Sequence, residues 1–143
     1  MQVMNAVKYF VLFVGHSRSG SSITGALLDA HPNAMIGHEF HVFKNMLLHP
    51  DVYHSKDAIF TALTLSSQLS AKHWSSTPPQ RRHNMYVKGL WMGLFEGNLT
   101  VIGDKGAMSM TTLYRADKSL FLKLLRRLQT ITGVPIKFVQ VSS

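Results

Sequence analysis

An eight-residue segment near the start of the chain, residues 15–22, has the composition of an anion-binding loop. Its two glycines allow a tight turn and a close approach of the backbone to a ligand. Backbone N–H groups at the start of a following helix would point at the anion, and the helix dipole would favour its charge. Ser21 and Ser22 add hydroxyl donors, and Arg18 adds a positive charge. These residues predict a loop that binds a phosphate or sulfate group.

The spacing of this loop, G-x-x-x-x-G-S-S, is similar to that of a P-loop, but the P-loop lysine is missing. Ser21 stands where that lysine would contact the β- and γ-phosphates of a nucleoside triphosphate. A nucleoside triphosphatase would lose this contact, which disfavours that class. A glycine-rich turn that binds no ligand is the alternative interpretation of the segment.

A candidate general base follows the loop in the sequence. The Glu39 carboxylate could accept the proton of an attacking hydroxyl group. A solvated loop glutamate would explain the same residue equally well. His38 and His41 flank it, and either imidazole could be the base instead, because histidine titrates near neutral pH.

Hydrophobic patterns predict an alternation of strands and helices that would place these residues at one edge of a sheet. The continuous apolar run at residues 9–14 is typical of a strand buried on both faces. The full set of predicted strands is 9–14, 34–36, 99–102 and 136–141, and the predicted helices are 22–30, 56–74 and 113–128. Residues 85–95 fit a strand or a helix. This order predicts the α/β class, with ligands bound beyond the carboxyl ends of the strands.

Composition limits the size and class of the protein. The chain of 143 residues predicts one domain, residues 1–143, and its 45% hydrophobic content is enough for a core with buried strands. A formal net charge of +8 favours anionic ligands. The apolar run at 9–14 is far shorter than the ~20 residues that cross a bilayer, and no basic region precedes it, so we expect a soluble chain. The absence of cysteine is compatible with a reducing compartment, and the expected location is the cytoplasm, or the Golgi lumen for a piece of a longer precursor.

Two segments together resemble one enzyme family. Residues 14–22 read V-G-H-S-R-S-G-S-S, and residues 26–32 read A-L-L-D-A-H-P. Their combination and spacing resemble the start of sulfotransferases that depend on 3′-phosphoadenosine 5′-phosphosulfate (PAPS), and the similarity is strongest to the protein-tyrosine sulfotransferase-like branch. This resemblance implies a P-loop-like three-layer parallel sheet flanked by helices. It also implies transfer of a sulfuryl group to the hydroxyl or amine of an unidentified acceptor, without a metal.

The same resemblance implies roles for individual residues. The 5′-phosphosulfate of PAPS would be bound by six consecutive residues: Ser17, Arg18, Ser19, Gly20, Ser21 and Ser22. Arg18 would also act in catalysis, and Glu39 would be the catalytic base. Lys105, in the segment Gly-Asp-Lys-Gly at 103–106, would stabilise charge on the leaving group. An ordinary β-turn with a paired aspartate and lysine is the alternative interpretation of that segment.

The family pattern also implies an arginine and a serine, after the last strand, that hold the 3′-phosphate. Here the predicted strand 136–141 is followed by Ser142 and Ser143, where the sequence ends. We therefore expect a C-terminally truncated domain with an incomplete sheet, weakened cofactor binding and turnover below ordinary enzyme rates. Its uncovered sheet could self-associate.

Two other classes remain open. A P-loop-like kinase or nucleoside triphosphatase would need a carboxylate near a strand end to hold magnesium, and Asp104 is the candidate. A non-catalytic, basic module that binds polyanions would use the net charge, but the basic residues are dispersed. No nucleic-acid-binding motif occurs in the sequence, so no nucleic acid partner is expected.

Overall fold

The structure is a computed structural model that describes residues 2–15, 21–78 and 85–141. Within these residues, a short 3₁₀ helix, Gln2–Ala6, precedes four strands and five α-helices. The strands are β1 (Tyr9–Gly15), β2 (Ala34–His38), β3 (Val101–Lys105) and β4 (Ile136–Val141). The helices are α1 (Ser21–Asp29), α2 (Val42–Leu48), α3 (Lys56–Ser75), α4 (Ala107–Ala116) and α5 (Lys118–Thr132).

The four strands form one parallel sheet in the order β2-β3-β1-β4. Because neighbouring strands are parallel, the carboxyl ends of β1, β2 and β3 lie at the same edge. The chain therefore has the predicted α/β class, with an all-parallel sheet flanked by helices. This arrangement brings together segments that lie far apart in the sequence, including the start of α1 and the residues that follow β2.

Both faces of the sheet are covered by apolar side chains. Consecutive strand residues point to opposite faces, so Phe10 and Leu12 of β1 belong to one core cluster and Val11 and Phe13 to another. The larger cluster packs against buried residues of α2, α3, α4 and α5, and the smaller one packs against Leu28 of α1. The central strand is thus buried on both sides, as its continuous apolar run predicts.

The predicted β4 agrees with the structure at both boundaries, and α3 begins at the predicted residue and ends one residue later. Ser55 caps α3, and its side-chain oxygen accepts a hydrogen bond from the Ala58 N–H at 3.2 Å. β4 covers Ile136–Val141, as predicted. α1 begins one residue earlier and β2 ends two residues later than the patterns indicate.

The third strand is predicted over 99–102, so that Gly103 would lie just beyond its end; this prediction is wrong, since β3 extends from Val101 to Lys105. A Cβ atom at Gly103 would collide with the backbone of Val11 on the neighbouring strand. This glycine therefore permits close packing inside the strand and does not end it. As a consequence, Asp104 and Lys105 belong to a regular strand and not to a β-turn.

Two other predictions need correction. The single helix predicted over 113–128 is in fact α4 and α5, which meet at Asp117, and the Asp117 side chain accepts a hydrogen bond from the Leu120 N–H at 3.0 Å. Residues 85–95 form neither a strand nor a helix, and they contain two glycines with positive φ, Gly89 at 88° and Gly93 at 72°. The sequence patterns also gave no indication of α2.

Candidate functional site

The site residues predicted from the sequence divide into two groups. Ser17, Arg18, Ser19 and Gly20 lie outside the described residues. Ser21, Ser22, Glu39 and Lys105 are described, and all four lie at or just beyond the carboxyl ends of β1, β2 and β3. Ser21 is buried at the start of α1.

Lys105 connects three of the sequence-predicted positions. It is the last residue of β3, and only 4% of it is exposed. Its Nζ donates a hydrogen bond to Ser22 Oγ at 2.9 Å and a second to Glu39 Oε1 at 3.1 Å. The sheet thus assembles an ammonium, a hydroxyl and a carboxylate from segments separated by 66 and 83 positions in the sequence. Their roles in chemistry stay predictions.

Because Gly25 has no side chain, it leaves room for the Lys105 side chain to reach the start of α1. A Cβ atom at Gly25 would lie 3.1 Å from Lys105 Cγ and 3.3 Å from Lys105 Cβ, which is tighter than normal packing. Gly25 lies one turn after Ser22 and on the same face of α1. The sequence patterns did not single out this glycine, although a glycine inside a predicted helix is a signal of close packing.

Glu39 follows β2 directly and is the exposed member of the cluster. Its side chain is 56% exposed, against 5% for its partner Lys105. Partial burial acts to raise the pKa of Glu39, but the hydrogen bond from Lys105 and the charges of Lys105, His38 and His41 outweigh it. The pKa is therefore lower than that of an ordinary glutamate, and the carboxylate is ionised at neutral pH.

The turn that presents Glu39 has an unusual backbone. Glu39 and His41 both adopt left-handed conformations, with φ of 57° and 61°. Such conformations cost non-glycine residues on the order of 1 kcal/mol each, so other contacts must hold them. One contact is a backbone hydrogen bond of 2.8 Å from the Glu39 N–H to the Lys105 carbonyl.

Asp104 supplies the other contacts to this turn. Its side chain is fully buried, and it accepts hydrogen bonds from the Phe40 N–H at 3.0 Å and the Val42 N–H at 2.9 Å. Burial raises the pKa of Asp104 to about 6, although these backbone hydrogen bonds and Lys105 favour its charged form. Because Asp104 and Lys105 are consecutive in β3, they point to opposite faces of the sheet. Asp104 holds the turn after β2, and Lys105 extends toward the start of α1.

The two histidines beside Glu39 have partners of their own. His41 Nδ1 and Ser109 Oγ share a hydrogen bond of 2.9 Å. The His38 ring contacts the Trp74 ring edge-on, with centroids 4.9 Å apart. Burial and the charge of Lys105 lower the pKa of His38 to about 4, so its imidazole is neutral at neutral pH.

Asp29, from the A-L-L-D-A-H-P segment, has a structural environment. It is buried and accepts hydrogen bonds from the Ile36 N–H at 2.7 Å, Ser67 Oγ at 2.7 Å and the Gly93 N–H at 3.2 Å. Burial raises its pKa. These bonds connect α1 to β2, to α3 and to the irregular segment that contains Gly93. The aspartate thus fixes the helix that follows the loop.

No protein-family model matches the chain, and no curated protein matches it. None of the helices in the described part of the chain is long and apolar enough to cross a membrane. The fold and the site together define an α/β protein whose charged cluster lies at the carboxyl edge of a parallel sheet.

Proposed function

We propose that this chain is a sulfotransferase domain that uses PAPS as its sulfuryl donor. The observation that carries the proposal is the position of Lys105 Nζ, 2.9 Å from Ser22 Oγ and 3.1 Å from Glu39 Oε1. These three residues are the described positions to which the family resemblance gives roles in cofactor binding and catalysis, apart from the buried Ser21. They come from three separate segments, and their proximity supports a common site.

The groups around the start of α1 suit an anionic sulfate or phosphate. The Lys105 ammonium and the Ser22 hydroxyl are donors, and the first N–H groups of α1 have no partner within the helix. Their dipole favours a negative charge at this end of the helix. The residues present therefore fit the phosphosulfate end of PAPS, with Lys105 and Ser22 as its described ligands.

Bound PAPS would supply an activated sulfuryl group, whose bond to the 5′-phosphate oxygen breaks as a bond to the acceptor oxygen forms. Lys105 would neutralise negative charge that develops at the leaving oxygen, and Ser22 would orient the anion. Glu39, which is ionised, would take the proton of the acceptor hydroxyl. The left-handed turn at 39–41 directs this carboxylate toward Lys105 without burying it.

The environment of Asp104 disfavours the kinase or nucleoside triphosphatase alternative. That alternative needs a carboxylate free to bind magnesium near a strand end, and Asp104 was the candidate from the sequence. Its side chain is fully buried, and both of its oxygens accept backbone hydrogen bonds from the turn after β2. Binding a metal would break the contacts that hold Glu39 in place.

A calorimetric titration with 3′-phosphoadenosine 5′-phosphate (PAP), the product nucleotide, tests the proposal. We expect the intact chain to bind PAP and Lys105→Met to bind it about tenfold more weakly, because the variant loses a charge-assisted hydrogen bond to a phosphate. Methionine keeps the apolar stem that packs on Gly25. Arg18→Ala tests Arg18, a predicted ligand of the cofactor that lies outside the described residues.

Lys123→Met is the matched control, since Lys123 is an exposed residue of α5. Circular dichroism should show that each variant is folded. Failure of the folded, intact chain to bind PAP would contradict the proposal. Binding of ATP with magnesium in place of PAP would favour the kinase alternative.

A further inference from the structure

A cavity of about 400 Å³ opens beside Glu39 on the side of α3. The residues that line it include Glu39, Phe40, Tyr53, Leu65, Ser66 and Leu69. Leu65 and Leu69 are four positions apart on α3 and therefore lie on the same face of that helix. The cavity is open to solvent on one side, and its volume is in the range of sites that bind small organic molecules.

The walls of this cavity are mainly apolar. Phe40 and Tyr53 pack edge to face, with ring centroids 5.5 Å apart, and form one wall. Leu65 and Leu69 form the wall on α3, and they are 52% and 57% exposed. Large apolar side chains left open to solvent beside a charged cluster favour a ligand with an apolar body.

The lining of the cavity does not share the basic character of the whole chain, whose formal net charge is +8. Among the described lining residues, Glu39 carries the charge, and none is a lysine or arginine. Lys105 Nζ is directed to Ser22 and Glu39, and its stem packs against Gly25 of α1. An anionic acceptor in this cavity would therefore place its charge against mainly apolar walls without a basic partner from the described lining residues.

We propose that this cavity is the acceptor site, and that it takes a small neutral alcohol or phenol with an apolar body. The inference rests on the proposed function, because it uses Glu39 as the group that receives the acceptor's proton. The acceptor's hydroxyl would face Glu39, and its apolar body would lie between the Phe40–Tyr53 wall and the leucines of α3. Anionic sugars and acidic peptides would be excluded by charge.

The test compares two fluorescent probes that share one ring system, 2-naphthol and 6-hydroxy-2-naphthoate. Fluorescence titrations of the full chain, with and without PAP, should give a dissociation constant for 2-naphthol about tenfold lower than that for the naphthoate. The carboxylate of the second probe lies at the opposite end of the ring system from its hydroxyl. It would therefore lie against the apolar α3 wall without a basic partner, and this unfavourable contact accounts for the difference.

Leu69→Lys should weaken this selectivity. A lysine on the α3 wall would pair with the naphthoate carboxylate, so the preference for 2-naphthol should fall by about fivefold or more. Leu48→Lys is the matched control, because Leu48 is also an exposed leucine, 61% exposed on α2, and does not line the cavity. The control should keep the original preference.

Three results would overturn the acceptor-site assignment: no saturable binding of 2-naphthol, equal affinity for both probes, or the same effect of Leu69→Lys and Leu48→Lys. The PAP titration separates this assignment from the proposed function. A chain that binds PAP but not 2-naphthol overturns the cavity assignment alone. A chain that binds 2-naphthol selectively but not PAP overturns the sulfotransferase function and supports the ligand class of the cavity.

Discussion

At the scale of single residues, Lys105 is the group on which the electrostatics of the site depend. Its charge and hydrogen bond lower the pKa of Glu39, and its charge also helps to lower the pKa of His38. Lys105→Met should therefore raise the pKa of both groups, because a nearby positive charge favours the ionised carboxyl and disfavours the protonated imidazole. Titration of both side chains by NMR measures the two shifts.

Lys123→Met serves again as the control, because this exposed residue of α5 is not among the groups that shift the pKa of Glu39 or His38. An unchanged pKa of Glu39 in a folded Lys105→Met variant would show that the ion pair does not persist in solution. The proposal that Lys105 neutralises charge on the leaving group while Glu39 accepts the proton of the acceptor would then lose its structural basis.

At the scale of elements, the turn after β2 depends on the strand beside it. Asp104 of β3 accepts two backbone hydrogen bonds from this turn, whose Glu39 and His41 have positive φ. Asp104→Asn replaces one acceptor oxygen by an amide donor, which leaves a buried N–H group without a suitable partner. The free energy of unfolding should fall by about 1–3 kcal/mol.

Urea unfolding measures this loss, and amide hydrogen exchange locates it. Exchange should become faster at Phe40 and Val42, the two donors to Asp104, beyond the change expected from global destabilisation. Asp51→Asn, at an exposed aspartate outside the helices, should change neither quantity. Equal stability of Asp104→Asn and the original chain would mean that the turn is held by other contacts.

The elements also show how far the sequence could predict this structure. Local patterns were sufficient for the buried β1, the capped α3 and β4, because each depends on a continuous apolar run or a helix signal. They failed at Gly103, whose role depends on its close approach to Val11 of another strand. They also failed at Asp117, where one helix ends and another begins without a proline or glycine.

The candidate site was predictable to a similar extent. Ser22 was singled out by the composition of its loop, Glu39 as a carboxylate that follows the loop, and Lys105 by the family resemblance. Because parallel strands bring the positions after them to one edge, their proximity could be expected. The supporting contacts were not predictable in this way. Asp104 was considered as a magnesium ligand, and only the three-dimensional structure shows that its oxygens bind the turn after β2. The role of Gly25 is also seen only in three dimensions, because it depends on the close packing of the Lys105 side chain against this glycine.

At the scale of the whole molecule, β4 is an edge of the described sheet and pairs with β1 on one side only. Phe138 of this strand stacks on Phe121 of α5 and remains 46% exposed. An edge strand with exposed backbone groups and an exposed aromatic ring favours pairing with a second chain. Lys137, next to Phe138, lies over the Tyr9 ring and places a charge on the same strand.

We therefore expect self-association that depends on β4 and responds in opposite directions to two substitutions. Phe138→Lys should weaken it by about fivefold or more, because it replaces exposed apolar surface by a charge on the edge strand. Lys137→Val should strengthen it, because it removes a charge that opposes strand pairing. Sedimentation velocity over a concentration series measures both effects, and Leu48→Lys is the control for a charge added elsewhere on the surface. If both β4 variants associate like the original chain, contacts between copies do not involve this strand, and the exposed ring of Phe138 must be explained by its packing on α5 alone.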